Sequence, residues 1–211
     1  MHHERSVWRK AVPWIAALLA LGCCAASGCS APGGTRSGHA QVRVASMLIG
    51  LSTSGLEWDS VSSFANHFRG DVATALLSAD PYAAAAAVLS NVAADLSTSL
   101  DAPDPAMTAT IYIDGVVANR SPRTSTSQNH DTFFPTFPGG GWTGVPLDSD
   151  IRISVSVEDE DLTDFEPICV AELNTNDVMT ALDAARVVQI DVSGQCQNQL
   201  LFIGLSAIPM E

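Results

Sequence analysis

Ile151-Arg152-Ile153-Ser154-Val155-Ser156-Val157-Glu158-Asp159-Glu160 decides how the rest of the chain is read. Ile151, Ile153, Val155 and Val157 alternate with Arg152, Ser154, Ser156 and Glu158 without a break. A period of two with one apolar face is what a strand needs when its sheet has one buried side. The same rhythm recurs on both flanks. Upstream, Val42 and Val44 alternate with Gln41 and Arg43 and lead into Met47-Leu48-Ile49; Met107, Ala109, Ile111 and Ile113 alternate with Thr108, Thr110 and Tyr112. Downstream, Val188, Ile190 and Val192 alternate with Gln189 and Asp191, and Leu200 to Ile208 reads as a closing strand. Strands of this kind, separated by Pro, Gly, Asn and Asp turns, predict a mainly β fold, an antiparallel β-sandwich.

Residues 58–100 break that rhythm. Val61, Phe64, Ala65, Phe68, Val72, Ala75 and Leu76 fall at helical spacing. Asp80-Pro81 then reads as an N-cap with proline at the first helical position, followed by an alanine-rich run to Leu96. A helical insertion over about residues 60–98 is expected, closed by Asp101-Ala102-Pro103-Asp104-Pro105. A short extra helix is expected from Asp177 to about Ala185, capped by Asn176. Ser121 to Pro146 reads as loops framing one short strand around Thr132 to Phe137.

The N-terminus carries a different signal. Arg5, Arg9 and Lys10 precede Ala11 to Ala26, sixteen almost uninterrupted apolar residues broken by Pro13. That is short of the ~20 residues a membrane-spanning helix needs. A positive head, a short apolar middle and a small-residue exit describe an export signal. The exit, Ala26-Ser27-Gly28-Cys29, resembles the lipobox of bacterial lipoproteins, which implies cleavage before Cys29 and a lipid on its thiol. Cys23, after Ala20-Leu21-Gly22, is a competing site, and an ordinary secretory cut nearby is the plainer alternative. The expected organisation is a signal at 1–28, a flexible tether at 29–40 and a sandwich domain at 41–211. The location expected is the cell envelope, with membrane attachment through the N-terminal lipid; Ser30 after the cysteine leans it toward the outer membrane.

Charge excludes one class of partner. Removing residues 1–28 takes three of the ten basic and one of the 23 acidic residues, leaving seven arginines against 22 carboxylates and no lysine. Nucleic-acid phosphates would repel such a chain, so no nucleic-acid partner is expected. Two cysteines remain besides Cys29, and in an oxidising compartment Cys169 and Cys196 are expected to form one structural disulfide.

The densest chemistry is Glu158-Asp159-Glu160-Asp161-Leu162-Thr163-Asp164, directly after the opening strand. Asp159 and Asp161 share a face if strand geometry persists. Carboxylates this close are either well solvated or bridged by a cation, and calcium takes ~6–8 such oxygens. Three motifs then occur in order: Asp104-Pro105 before a strand, a strand running into Asp159-Glu160-Asp161, and a later Asp164. This sequence of motifs, over roughly residues 41–208, resembles the calcium-dependent lipid-binding C2 domain. The resemblance implies a C2-like sandwich with calcium held by Asp104, Asp159, Asp161 and Asp164. It also implies an early ligand, at Asp59 after Trp58 or at Asp101. The chain departs from the family at Ala106, where tyrosine is usual, in a shortened Asp161–Asp164 loop, and in carrying helices within the first loop.

These observations favour a non-catalytic, lipid-anchored envelope module with a calcium-binding or partner-binding loop face. A metal-free structural or adhesive protein is the alternative, using Phe133, Phe134, Phe137 and Trp142 as a contact surface if they are not core. An envelope hydrolase working through paired carboxylates is the third. No nucleophile elbow, zinc-protease helix or phosphate loop occurs in the sequence, and His39, His67 and His130 read as tether, helix-face and solvated loop residues.

Overall fold

A computed structural model describes residues 37–51, 62–95, 102–121, 129–160 and 165–211. Among these residues, eight strands form two four-stranded antiparallel sheets. β1 (His39–Ile49), β4 (Gly141–Pro146), β7 (Val188–Asp191) and β8 (Leu200–Met210) make the first, in the order β4-β1-β8-β7. β2 (Pro105–Ile113), β3 (Val116–Arg120), β5 (Ile151–Glu160) and β6 (Phe165–Asn174) make the second, in the order β3-β2-β5-β6. The sandwich class expected from the alternating segments is the class observed. β1 begins at His39, two residues inside the segment expected to be tether.

β5 lies inside its sheet, between β2 and β6. Ile151, Ile153, Val155 and Val157 are buried and meet Ile111, Met107 and Ala109 of β2, Ala171 and Leu173 of β6, and Val42, Val44, Ile203 and Leu205 of the facing sheet. Asp159 continues the same inward row and is itself 3% exposed. The β-branched residues of this row suit a pleated, packed surface, and their burial drives the two sheets together.

The inserted helices are α1 (Ser62–Ala75) and α2 (Pro81–Asp95). Asp80 caps α2 as expected, its Oδ1 accepting the Ala83 N–H at 3.0 Å. Val72, Ala75, Ala85, Leu89 and Val92 pack on Leu48, Leu51, Leu201 and Phe202, and Tyr82 meets Phe202 edge to face at 5.5 Å. This second core explains Met47-Leu48-Ile49 and Leu200-Leu201-Phe202-Ile203. Alternation fails there because that end of the first sheet is covered on both faces. Among the described residues, no helix is long and apolar enough to cross a membrane.

Three local expectations need correction. α3 spans Thr175–Ala184 and is capped by Asn174, two residues before the expected cap. The Asn174 side chain accepts from Asn176 and Asp177, and Asp177 accepts the Asn174 N–H at 2.8 Å. This reciprocal box satisfies more orphan N–H groups than Asn176 alone would. The segment around Thr132 to Phe137 is not a full strand. Phe133 and Pro135 lend carbonyls to Ile49 and Met47, and Thr136 makes one isolated bridge to Ser46. Prolines 135 and 138 have no N–H to extend the ladder. Finally, β4 lies where a loop was expected, and β3 occupies a stretch to which the sequence pattern assigned no element.

The disulfide is present. Cys169 of β6 joins Cys196 in the turn after β7, with Cα atoms 5.5 Å apart. That turn also covers the outer edge of β6. Gln195 Oε1 accepts the Glu172 N–H at 2.8 Å, and Gln195 Nε2 donates to the Glu172 carbonyl at 3.1 Å.

Candidate functional site

Asp104 sits where the chain enters β2, opposite the end of β5. Its N–H donates to Asp159 Oδ1 at 2.6 Å, and its carbonyl accepts from Glu160 at 3.1 Å. These bonds extend the β2–β5 ladder by one step beyond the Pro105–Asp159 pair, which lacks a proline donor. Asp159 therefore holds backbone, and its burial follows from that task. An ionised carboxylate is stable so far inside only with bonds of this kind.

The Asp104 side chain faces the other way, toward residues 129–132. The Asp131 N–H donates to its Oδ1 at 2.6 Å, and His130 Nδ1 lies 2.7 Å from both carboxylate oxygens. A carboxylate only accepts, so the ring proton resides on Nδ1. His130 Nε2 points on to Asp131 Oδ2 at 3.7 Å. Asp131 holds φ at 47°, a left-handed conformation that aspartate tolerates better than most residues. Thr132 N–H to the Pro103 carbonyl at 2.9 Å ties the two loops together. The hydrogen bond to Asp104 raises the His130 pKa above its ordinary 6.5, helped by the negative charges of Asp104 and then Asp131.

Asp104, His130 and Asp131 thus form a candidate cation cluster, their ligand atoms all within 4.8 Å of one another. Side-chain exposure rises from 16% at Asp104 to 43% at Asp131 and 68% at His130. The cluster opens outward from a nearly buried carboxylate. Of the residues implicated by sequence, the structure brings Asp104 and Asp159 together, but through the Asp104 backbone. Asp59, Asp101, Asp161, Asp164 and Cys29 lie outside the described residues, as does the competing Cys23. In sequence, His130 and Asp131 read as solvated loop residues. Only a folded chain places them beside a carboxylate 26 positions upstream of the histidine.

The described donors do not fit calcium by themselves. One is an imidazole nitrogen, whereas calcium takes oxygen. Both Asp104 oxygens are engaged by His130, and Asp159 Oδ1 is engaged by the Asp104 N–H. The aromatics are mostly core rather than the alternative contact surface: Phe133, Phe137 and Trp142 are 1%, 0% and 4% exposed, and Phe134 is partly buried against the second core.

No protein-family model matches the chain, and no curated protein matches it. Among solved structures, the first of the C2 domains of plant extended synaptotagmin 1 aligns at 12% identity and TM-score 0.41, covering 83% of this chain and 98% of that one. Human GIVD cytosolic phospholipase A2, solved with an inhibitor and terbium chloride, aligns at 12% identity and TM-score 0.38, covering 83% of this chain and 18% of that one. A portion of extended synaptotagmin 2 that holds an SMP domain and two C2 domains aligns at 10% identity and TM-score 0.36, covering 81% of this chain and 27% of that one. At TM-scores below 0.5, these likenesses carry no argument about family or function.

Proposed function

We propose that the protein is a non-catalytic, lipid-anchored module of the cell envelope, similar to a C2 domain in fold, whose Asp104 end takes a divalent cation or a partner. The observation that carries this reading is the convergence of Asp104, His130 and Asp131 on one end of the sandwich, where the strongly acidic segment after β5 also begins. Converging carboxylates repel unless solvated or bridged, so a cation is the natural occupant. Calcium is the cation that the sequence resemblance supports. Asp161, Asp164 and the early ligand Asp59 or Asp101 would supply the oxygens that the described residues lack. Attachment through Cys29 would tether the module to a membrane, where a protein partner in the envelope can meet it.

Calcium titration with thermal melting tests the cation part. A rise in melting temperature, abolished by Asp159→Asn/Asp161→Asn, is the expected result. No heat of binding together with unchanged melting in chelator would leave a metal-free structural module. Anchoring is tested separately: Cys29→Ser expressed in a bacterium should lose the lipid mass and move out of the detergent phase, while Cys23→Ser should not.

A further inference from the structure

We infer that His130 and Asp131 form a site for a borderline transition metal of the zinc class, with Asp104 as the positioning residue that aims the imidazole. This rests on the proposed reading of the Asp104 face as a cation site and names the class of cation that its described donors select. Two distances separate the roles. Ligands held tetrahedrally at ~2.0–2.1 Å from zinc stand about 3.3 Å apart. His130 Nδ1 and the Asp104 oxygens, at 2.7 Å, are too close for that and are hydrogen-bonded instead. His130 Nε2 and Asp131 Oδ2, at 3.7 Å, stand close to the separation of two ligands on one metal.

The arrangement is that of a carboxylate that holds one ring N–H so that the other nitrogen faces a metal, fixing tautomer and ring orientation together. Asp104 is itself fixed, by the Asp159 carboxylate at its N–H and the Asp131 N–H at its side chain. The acceptor nitrogen therefore projects from a rigid base. Nitrogen and carboxylate donors together suit zinc, whereas the imidazole contributes nothing to calcium. The remaining coordination positions face solvent, since His130 is 68% exposed and Asp131 43%. The site is open on the outside and takes water, or a donor from another molecule, there.

The test is zinc titration of the purified protein by calorimetry at pH 7.5, repeated in millimolar calcium. His2, His3, His39 and His67 are further imidazoles in the chain, so variants must assign the site. His130→Ala should remove one equivalent of zinc binding that His39→Ala retains, with melting temperature little changed because the ring is exposed. Asp104→Asn should weaken the same equivalent by ~10–100-fold, the usual effect of losing an orienting carboxylate. Calcium should not compete for it. The inference is overturned if no equivalent is sensitive to His130→Ala, or if calcium displaces it. Failure of the calcium titration above leaves this site standing, and failure here leaves the calcium reading untouched.

Discussion

Opening the Cys169–Cys196 bridge gives the most quantitative test of this fold. The cysteines are 27 residues apart in sequence, and the loop they close holds α3 and β7. In the chain-entropy model, a loop of that length restricts the unfolded chain enough to contribute ~3.5 kcal/mol. Strand β6 also loses a brace, because the turn carrying Cys196 brings Gln195 to Glu172. For a domain of this size, 1 kcal/mol shifts the melting temperature by ~2–4 °C. Cys169→Ala/Cys196→Ala should therefore melt ~7–14 °C below the parent. Urea denaturation measures the free-energy difference directly, and hydrogen exchange at Glu172 reports the brace. If the double variant loses under ~1 kcal/mol with an unchanged denaturant slope, the unfolded chain is not restrained as the model requires. If Glu172 keeps its protection, the turn holds Gln195 in place without the bridge.

Other outcomes follow from the core and the site. Ile153 is fully buried at the centre of β5, so Ile153→Ala should cost ~2–5 kcal/mol and Ile153→Val ~0.5–1.5 kcal/mol in denaturant melts. Gly50 has no room for a Cβ, which would collide with the Asn198 carbonyl oxygen, so Gly50→Ala should lose ~1–3 kcal/mol on the same scale. The His130 pKa is raised in the folded protein, so its pairing with Asp104 favours folding below pH 6.5 and is lost as pH rises through the folded value. Imidazole NMR should show a pKa above 6.5 that falls back toward 6.5 in Asp104→Asn; an unshifted parent value would contradict the 2.7 Å contact.

How much of this is readable in the sequence depends on whether each segment's environment is simple. β5 buries one face along its whole length, so its pattern is clean. The Leu200 to Ile203 run is recognisable as a strand from its apolar length, although the reason for that length lies in α2 and Phe202, which only tertiary packing unites. β3 is exposed at every position and carries no alternation to detect. β4 begins at Gly141, where a side chain would meet Arg43 and the Val42 carbonyl, so a residue that argues for a loop marks close strand approach. Asp104 is legible because Asp-Pro punctuates a strand entry. Its partner His130 is not, because nothing local to the segment at 129–132 records the carboxylate it will meet.

The Gln195 clasp bears on how the protein behaves when crowded. A glutamine side chain is a primary amide, and at Glu172 it offers β6 the acceptor and donor that another peptide would. One step of the β6 margin is thereby occupied, whereas β3, with Val116 and Val117 bare, forms the opposite margin. A foreign strand therefore meets an occupied step at β6 and an exposed apolar pair at β3, and a lysine placed at Val117 should lower aggregation without disturbing the core.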